Sequence, residues 1–325
     1  MQKKPEPKIT IKTKVEKVIK KIEDQTVEKT GSAYEHKSVL VSEVLTYINP
    51  QPNKVYVDAT FGGGGHTRAI LDAEPTCKVI GIDWDMKAIE ENEPALTQKY
   101  GDRLSVLWGN FAHIYKLLKQ AKIQKVDGIL ADFGTSQFQI HHKAGFSFQK
   151  DTPLDMRMSP AHQRKTATDI VNGYSEQNLA LLFFGYGEEA QAKKIARAIV
   201  QARTVKRITT TGQLVDLVAS VIPVNREKRN IHPATKVFQA LRIEVNHELE
   251  NISTFLKAAV PFLNPKGRLV CISFHSLEDR IVKNFFKEKS LELEVLTAKP
   301  VTASPDELLE NPSSRSAKIR AALKK

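Results

Sequence analysis

Residues 55–71 read VYVDATFGGGGHTRAIL, and the character of the chain changes twice within them. Val55, Tyr56 and Val57 form a short β-branched and aromatic run suited to a pleated sheet. The cluster Gly62 to Gly65 then lets the backbone turn tightly and come close to a ligand. A helical pattern follows to about Leu71. Strand, glycine loop and helix in this order place the positive end of the helix beside the loop, where an anion or a nucleotide can be held. The alternative is an ordinary tight turn.

Working outward, the same unit repeats. Lys78 to Asp83 reads as the next strand, followed by a helix over Met86 to Tyr100, a strand at Leu104 to Trp108, a helix near Ile114 to Ala121 and a strand at Asp127 to Asp132. A βαβα series of this kind predicts a parallel sheet covered by helices on both faces. The alternation stops after Gln139. From 142 to 238 the chain offers helical patterns only, at Asn178 to Phe184, Ala190 to Ala202 and Thr211 to Val221. It resumes with one long helix through Val237 to Phe262, a strand at Gly267 to Phe274, a helix from Leu277 to Lys287 and a last strand near Leu291 to Thr297. Residues 311–325, rich in Ser, Arg and Lys, are expected on the surface. The sequence therefore predicts a Rossmann-like α/β domain in two parts, 35–141 and 239–325, interrupted by an all-helical domain at 142–238. A basic flexible tail, 1–34, precedes it, in which Val15, Val18, Ile19 and Ile22 could line a short helix.

The 325 residues are 41% apolar and 26% charged, the make-up of a chain that buries a sizeable core. A net charge of +12 creates a field that attracts a polyanion. Residues 1–30 hold nine lysines against five acids, so the remainder keeps a net charge of +8 without them. No run approaches the ~18 apolar residues of a membrane span, and the lysine-rich start lacks the apolar segment of a secretion signal; the expected location is cytoplasmic, with no membrane partner. Cys77 and Cys271 each sit in an apolar strand-like run and read as buried hydrophobes. The nine histidines show no zinc-type spacing with them, so no metal site is expected.

Asp83 lies 21 residues beyond Gly62, where a carboxylate accepts hydrogen bonds from both hydroxyls of a ribose. That spacing suits a nicotinamide dinucleotide and S-adenosylmethionine alike. Asp58, before the glycines, tips the choice to S-adenosylmethionine, because an acid there can hold an amino-acid group but repels a pyrophosphate. Asp132 ends the fourth strand in DFGTS, at the carboxyl edge where open parallel sheets bind ligands, and should face cofactor or acceptor; a loop-capping role is the alternative. Phe111 follows the third strand and either stacks on adenine or fills core.

These motifs resemble those of the bacterial small-subunit ribosomal RNA cytosine-N4 methyltransferases, over residues 36 to 320. The likeness rests on VDATFGGGGHTRAIL at 57–71, GFSF at 145–148, PLDMRM at 153–158, GYGEE at 185–189, HPATKVFQALRIEVNHEL at 232–249, ISFHSLEDRIVKNFF at 272–286 and NPSSRSAKIR at 311–320. The resemblance implies a class I S-adenosylmethionine methyltransferase fold that modifies a decoding-centre cytidine, with an inserted helical domain that helps recognise RNA. It implies cofactor contacts at Gly64, Gly65, His66, Asp83, Phe111, Asp132 and Gln139. The implied partner is small-subunit ribosomal RNA, free or in the assembled subunit, and monomer and homodimer both stay open. The chain departs from the family pattern at Gln137, His141, Ala144, Thr152, Ser159 and Ala190, which surround the acceptor side.

Because the cytosine amine attacks the methyl group directly, no nucleophilic cysteine is needed, and positioning with electrostatics should supply most of the acceleration. Asp132 and Asp155 are the candidate catalytic carboxylates. Arg157 either meets phosphate or pairs with Asp155, and Ser273 and His275 either contact the base or fix their loop. The rival readings are methylation of another RNA nucleotide, a nicotinamide oxidoreductase, and a non-catalytic RNA-binding assembly factor.

Overall fold

The computed structural model describes residues 37–135, 140, 143–222 and 232–325. The expected tail helix around Val15 to Ile22, and Gln139, Gln137 and His141, lie outside these. Contacts divide the chain into two units, residues 1–134 with 251–325, and residues 135–250.

In the first unit, helix α1 (Val41–Ile48) precedes strand β1 (Val55–Asp58), α2 (Gly65–Ala73), β2 (Lys78–Asp83), α3 (Met86–Tyr100), β3 (Leu104–Trp108), α4 (Ile114–Gln120) and β4 (Val126–Asp132). The second unit carries α5 (Ala167–Gly173), α6 (Glu176–Gly187), α7 (Ala192–Val205), α8 (Thr211–Val221) and α9 (Ala234–Asn246). Helix α10 (Glu248–Ala259) leads back to β5 (Leu263–Ser273), α11 (Ser276–Glu288), β6 (Leu293–Val295), β7 (Val301–Thr302), α12 (Pro305–Glu310) and β8 (Lys318–Lys324).

The sheet runs β3-β2-β1-β4-β5-β8-β6, with β7 beside β8. Strands β1 to β5 are mutually parallel where they pair. Successive strand residues face opposite sides, so both faces must be apolar in a sheet covered twice. Val57, Ile129, Leu269 and Cys271 pack on one side with Ile114, Leu118, Phe255 and Phe286. Tyr56, Leu130 and Val270 pack on the other with Val44, Ile48 and Ile70. Both cysteines are fully buried and unpaired, as their apolar settings suggest.

Two expectations need correction. The C-terminal residues are not a surface tail: β8 runs antiparallel between β5 and β6, burying Ile319, Ala321 and Ala322. Its one charged buried residue, Arg320, is neutralised by Asp279 at 2.5 and 3.0 Å, which is why a basic-looking segment can lie inside. The single long helix through Val237 to Phe262 is two helices, because His247 adopts a left-handed conformation (φ 50°) at the end of α9. Ala240, Leu241 and Val245 of α9 belong to the core of the helical unit, with Phe183, Ile195 and Leu214, so that unit reaches beyond residue 238. Its helix starts are fixed locally by capping boxes, Thr166 with Asp169 and Thr210 with Gln213.

Candidate active site

From β1 the chain winds to β2 and β3 on one side, while β4 and β5 lie on the other. This reversal opens a crevice at the carboxyl ends of β1 and β4, the ligand position of such sheets. The glycine loop crosses it. Phe61 N–H donates to Ile82 at 2.9 Å, Asp132 N–H to Thr60 Oγ1 at 2.8 Å and Gly62 N–H to Asp83 Oδ2 at 2.7 Å, so the loop is tied to the ends of β2 and β4.

The glycines serve different ends. Gly64 has φ 70°, and a Cβ there would fall 2.2 Å from Leu96. At Gly65 a Cβ would fall 2.2 Å from Ser38 Oγ. A Cβ on Gly63 would meet nothing within 4 Å. The N-terminus of α2 receives no side-chain cap, so its first-turn N–H groups remain suited to an anion.

Asp83 uses Oδ2 for Gly62 N–H and Oδ1 for Asp85 N–H at 2.8 Å. Each oxygen keeps a second lone pair, which is what a pair of ribose hydroxyls requires. Burial pushes its carboxyl up to about 6, against the opposing pull of these two backbone donors. Asp58 is 1% exposed and spends its oxygens on Thr67 Oγ1 at 2.8 Å and Thr60 N–H at 3.2 Å. These bonds tie the loop and the first turn of α2 to the end of β1. Thr67 makes its link through its hydroxyl and Thr60 through its backbone N–H, while the Thr60 hydroxyl takes Asp132 N–H; these polar side chains beside the glycines were the available signal, and the sequence reading passed over them.

His66, in the first turn of α2, is buried, with Nε2 3.6 Å from Asp132 Oδ2. Among the described residues, both ring nitrogens and Asp132 Oδ1 are buried without a hydrogen-bond partner. Burial disfavours the charged imidazole, yet Asp132, Asp58 and Glu307 together outweigh it and hold the ring above its ordinary value. Phe111 packs its ring on Phe133 (5.8 Å) and edge-on to Phe255 (5.5 Å) while staying half-buried, so it belongs to the core on one side at least.

Asp155 lies in the other unit. Arg157 grips it with Nε and Nη2 at 2.8 Å each, and its own N–H donates to Oδ1 at 3.1 Å. Burial would raise this carboxyl, but the Arg157 contacts prevail and lower it. Their loop is held by Asn246, 1% exposed, which donates to Met156 O (2.9 Å) and accepts from Met158 N–H (2.8 Å) and Gln163 Nε2 (2.6 Å). The sequence reading missed Asn246, because an asparagine at a helix end gives no sign of its distant partners. The departure at Thr152 has a use, since its hydroxyl accepts Gly145 N–H at 3.1 Å. Glu278 accepts Phe274 N–H (2.7 Å) and His275 N–H (3.3 Å), which ties down the backbone of this loop, and its Oε1 lies 3.2 Å from His275 Nε2.

A glycine loop, a strand-end acid with acceptor positions to spare and a carboxylate beside an imidazole at a sheet's switch point are the features of a Rossmann-like enzyme that works with a nucleotide-bearing cofactor. The profile of the MraW methylase family matches residues 33–325, and the chain belongs to that family. Ribosomal RNA small subunit methyltransferase H of Sulfurihydrogenibium sp. is 48% identical over 288 residues, covering 88% of this chain and 98% of that protein. The protein of the same name from Desulfotalea psychrophila is 48% identical over 291 residues, 89% of this chain and 98% of its own. Among solved structures, an rRNA methylase from Streptococcus thermophilus aligns with a TM-score of 0.41 and 8% identity over 85% of this chain and 90% of that one; a likeness this distant bears on neither cofactor nor substrate.

Proposed function

We propose that the chain transfers a methyl group from S-adenosylmethionine to the exocyclic N4 of a cytidine in the decoding centre of small-subunit ribosomal RNA. The observation that carries it is His66 beside Asp132 at the switch point, where both ring nitrogens and Asp132 Oδ1 are buried with no hydrogen-bond partner among the described residues. Buried polar atoms are ordinarily paired, so orphans converging on one place mark where a ligand's polar groups belong.

The residues fit the cofactor. Asp83 would hold the ribose, Gly63 would let the backbone approach, and the start of α2 would receive a carboxylate. When bound, the cofactor supplies an electrophilic methyl group on sulfur. The chain's part is placement and charge. A cytosine amine is a weak nucleophile because its lone pair is shared with the ring, and it gains positive charge as it attacks. Asp132 Oδ1 accepts the amine's N–H and favours that charge, while His66 holds the Oδ2 side. Asp155 is already neutralised by Arg157, so we assign it the shaping of its loop and give the acceptor role to Asp132.

Asp132→Asn keeps the shape and removes the charge. Methyl transfer in a single turnover at saturating cofactor should fall about tenfold or more, at least ~1.4 kcal/mol of transition-state stabilisation, with RNA affinity unchanged. A variant with the parental rate would take Asp132 out of the chemistry.

A further inference from the structure

We infer that residues 37–40 form one wall of the cofactor site, that the Ser38 hydroxyl binds the carboxylate end of S-adenosylmethionine, and that the 304–311 segment holds Ser38 in place. The inference rests on the cofactor reading above.

Three contacts fix this strap. Leu40, in a left-handed conformation (φ 53°), donates its N–H to Glu307 Oε1 at 2.6 Å. Asn311, 6% exposed, donates to Lys37 O at 3.1 Å and Ser38 O at 3.4 Å. Lys37 Nζ pairs with Glu310 at 2.6 Å. A left-handed leucine is uncommon and persists only where its surroundings hold it, and here Glu307 does so. The outcome is that the Ser38 hydroxyl presses on Gly65, the first residue of α2.

The direction of the cofactor follows from the geometry already given. Asp83 fixes the ribose at the Gly62 end of the loop, and adenine lies beyond it toward β3. The amino-acid end must then run the other way, over the start of α2. There two kinds of donor converge, the uncapped first-turn N–H groups and the Ser38 hydroxyl. In the same first turn is buried His66, whose ring nitrogens have no hydrogen-bond partner among the described residues. Glu307, the strap's anchor, is near enough for its charge to act on the His66 ring.

The test uses the full chain and two probes, S-adenosylhomocysteine, which carries the carboxylate, and 5′-methylthioadenosine, which lacks the amino-acid end. In calorimetry Ser38→Ala should weaken S-adenosylhomocysteine about tenfold, the usual effect of losing a donor to a charged acceptor, and leave 5′-methylthioadenosine unchanged. Ser38→Thr should restore most of the loss, and Glu307→Ala, which frees the strap without touching Ser38, should reproduce part of it. Equal loss for both probes would make the effect a general distortion and overturn the assignment, as would no loss for either. If the parental chain bound neither probe, the cofactor reading itself would fall and take this inference with it.

Discussion

At the scale of single residues, the site is governed by where carboxylates are buried and who answers them. Asp58 and Asp155 are answered within the protein, by Thr60 and Thr67 and by Arg157. Asp83 and Asp132 keep acceptor capacity in reserve. For Asp83 this sets a pH dependence. Burial raises its carboxyl from 3.8 to about 6, so the free protein takes up a proton there as the pH falls below about 6. Ribose hydroxyls donate to the ionised form, and binding must expel that proton. Affinity for S-adenosylmethionine should be full above pH 6 and decline below it, measured by calorimetry from pH 5 to 8. Asp83→Ala should bind more weakly by roughly 1–3 kcal/mol and show no such decline. The stability effect runs the other way: a raised carboxyl favours the fold most below pH 3.8, and that favour is lost as the pH climbs to about 6. Asp83 and Asp132 were visible in the sequence because each ends a strand. The inward turn of Asp58 was not, since strand position does not say whether a nearby threonine will consume the carboxylate.

At the scale of elements, the strands β2 and β3 and the helices α3 and α8 stand where their apolar periods put them. The failures have physical causes. Strand β8 hid behind Lys318, Arg320 and Lys324, whose charges suggest a solvated tail, because the burial of Arg320 depends on Asp279, 41 residues earlier in the chain. The break at His247 escaped because apolar residues continue at helical spacing through it, and only the left-handed turn separates α9 from α10. The β8 reading makes a prediction about stability. Asp279→Ala would strand a guanidinium that is 7% exposed, at a cost of about 3 kcal/mol, and should lower the denaturation midpoint by urea accordingly. A midpoint within error of the parental one would mean that Arg320 reaches solvent.

At the scale of the molecule, the chain's +12 charge is of the sign that the proposed function requires for long-range attraction of RNA. No helix among the described residues is long and apolar enough to cross a membrane. Binding to small-subunit RNA should weaken steeply with salt, each neutralised phosphate adding about 0.7–0.9 to the logarithmic slope. Removing residues 1–30 should make the slope shallower without abolishing it, since the rest keeps +8. A flat response in titrations would leave the charge without its proposed use. The sequence carried this attraction in its composition, but composition does not select a base. The most direct test is to incubate the purified chain with S-adenosylmethionine and small subunits from cells lacking its gene, then digest the RNA and map methylated nucleosides by mass spectrometry. The proposed function predicts N4-methylcytidine at one decoding-centre position, formed by the parental chain and at least about tenfold more slowly by Asp132→Asn. Methylation of a different base or atom, or none above the cofactor-free control, would contradict it.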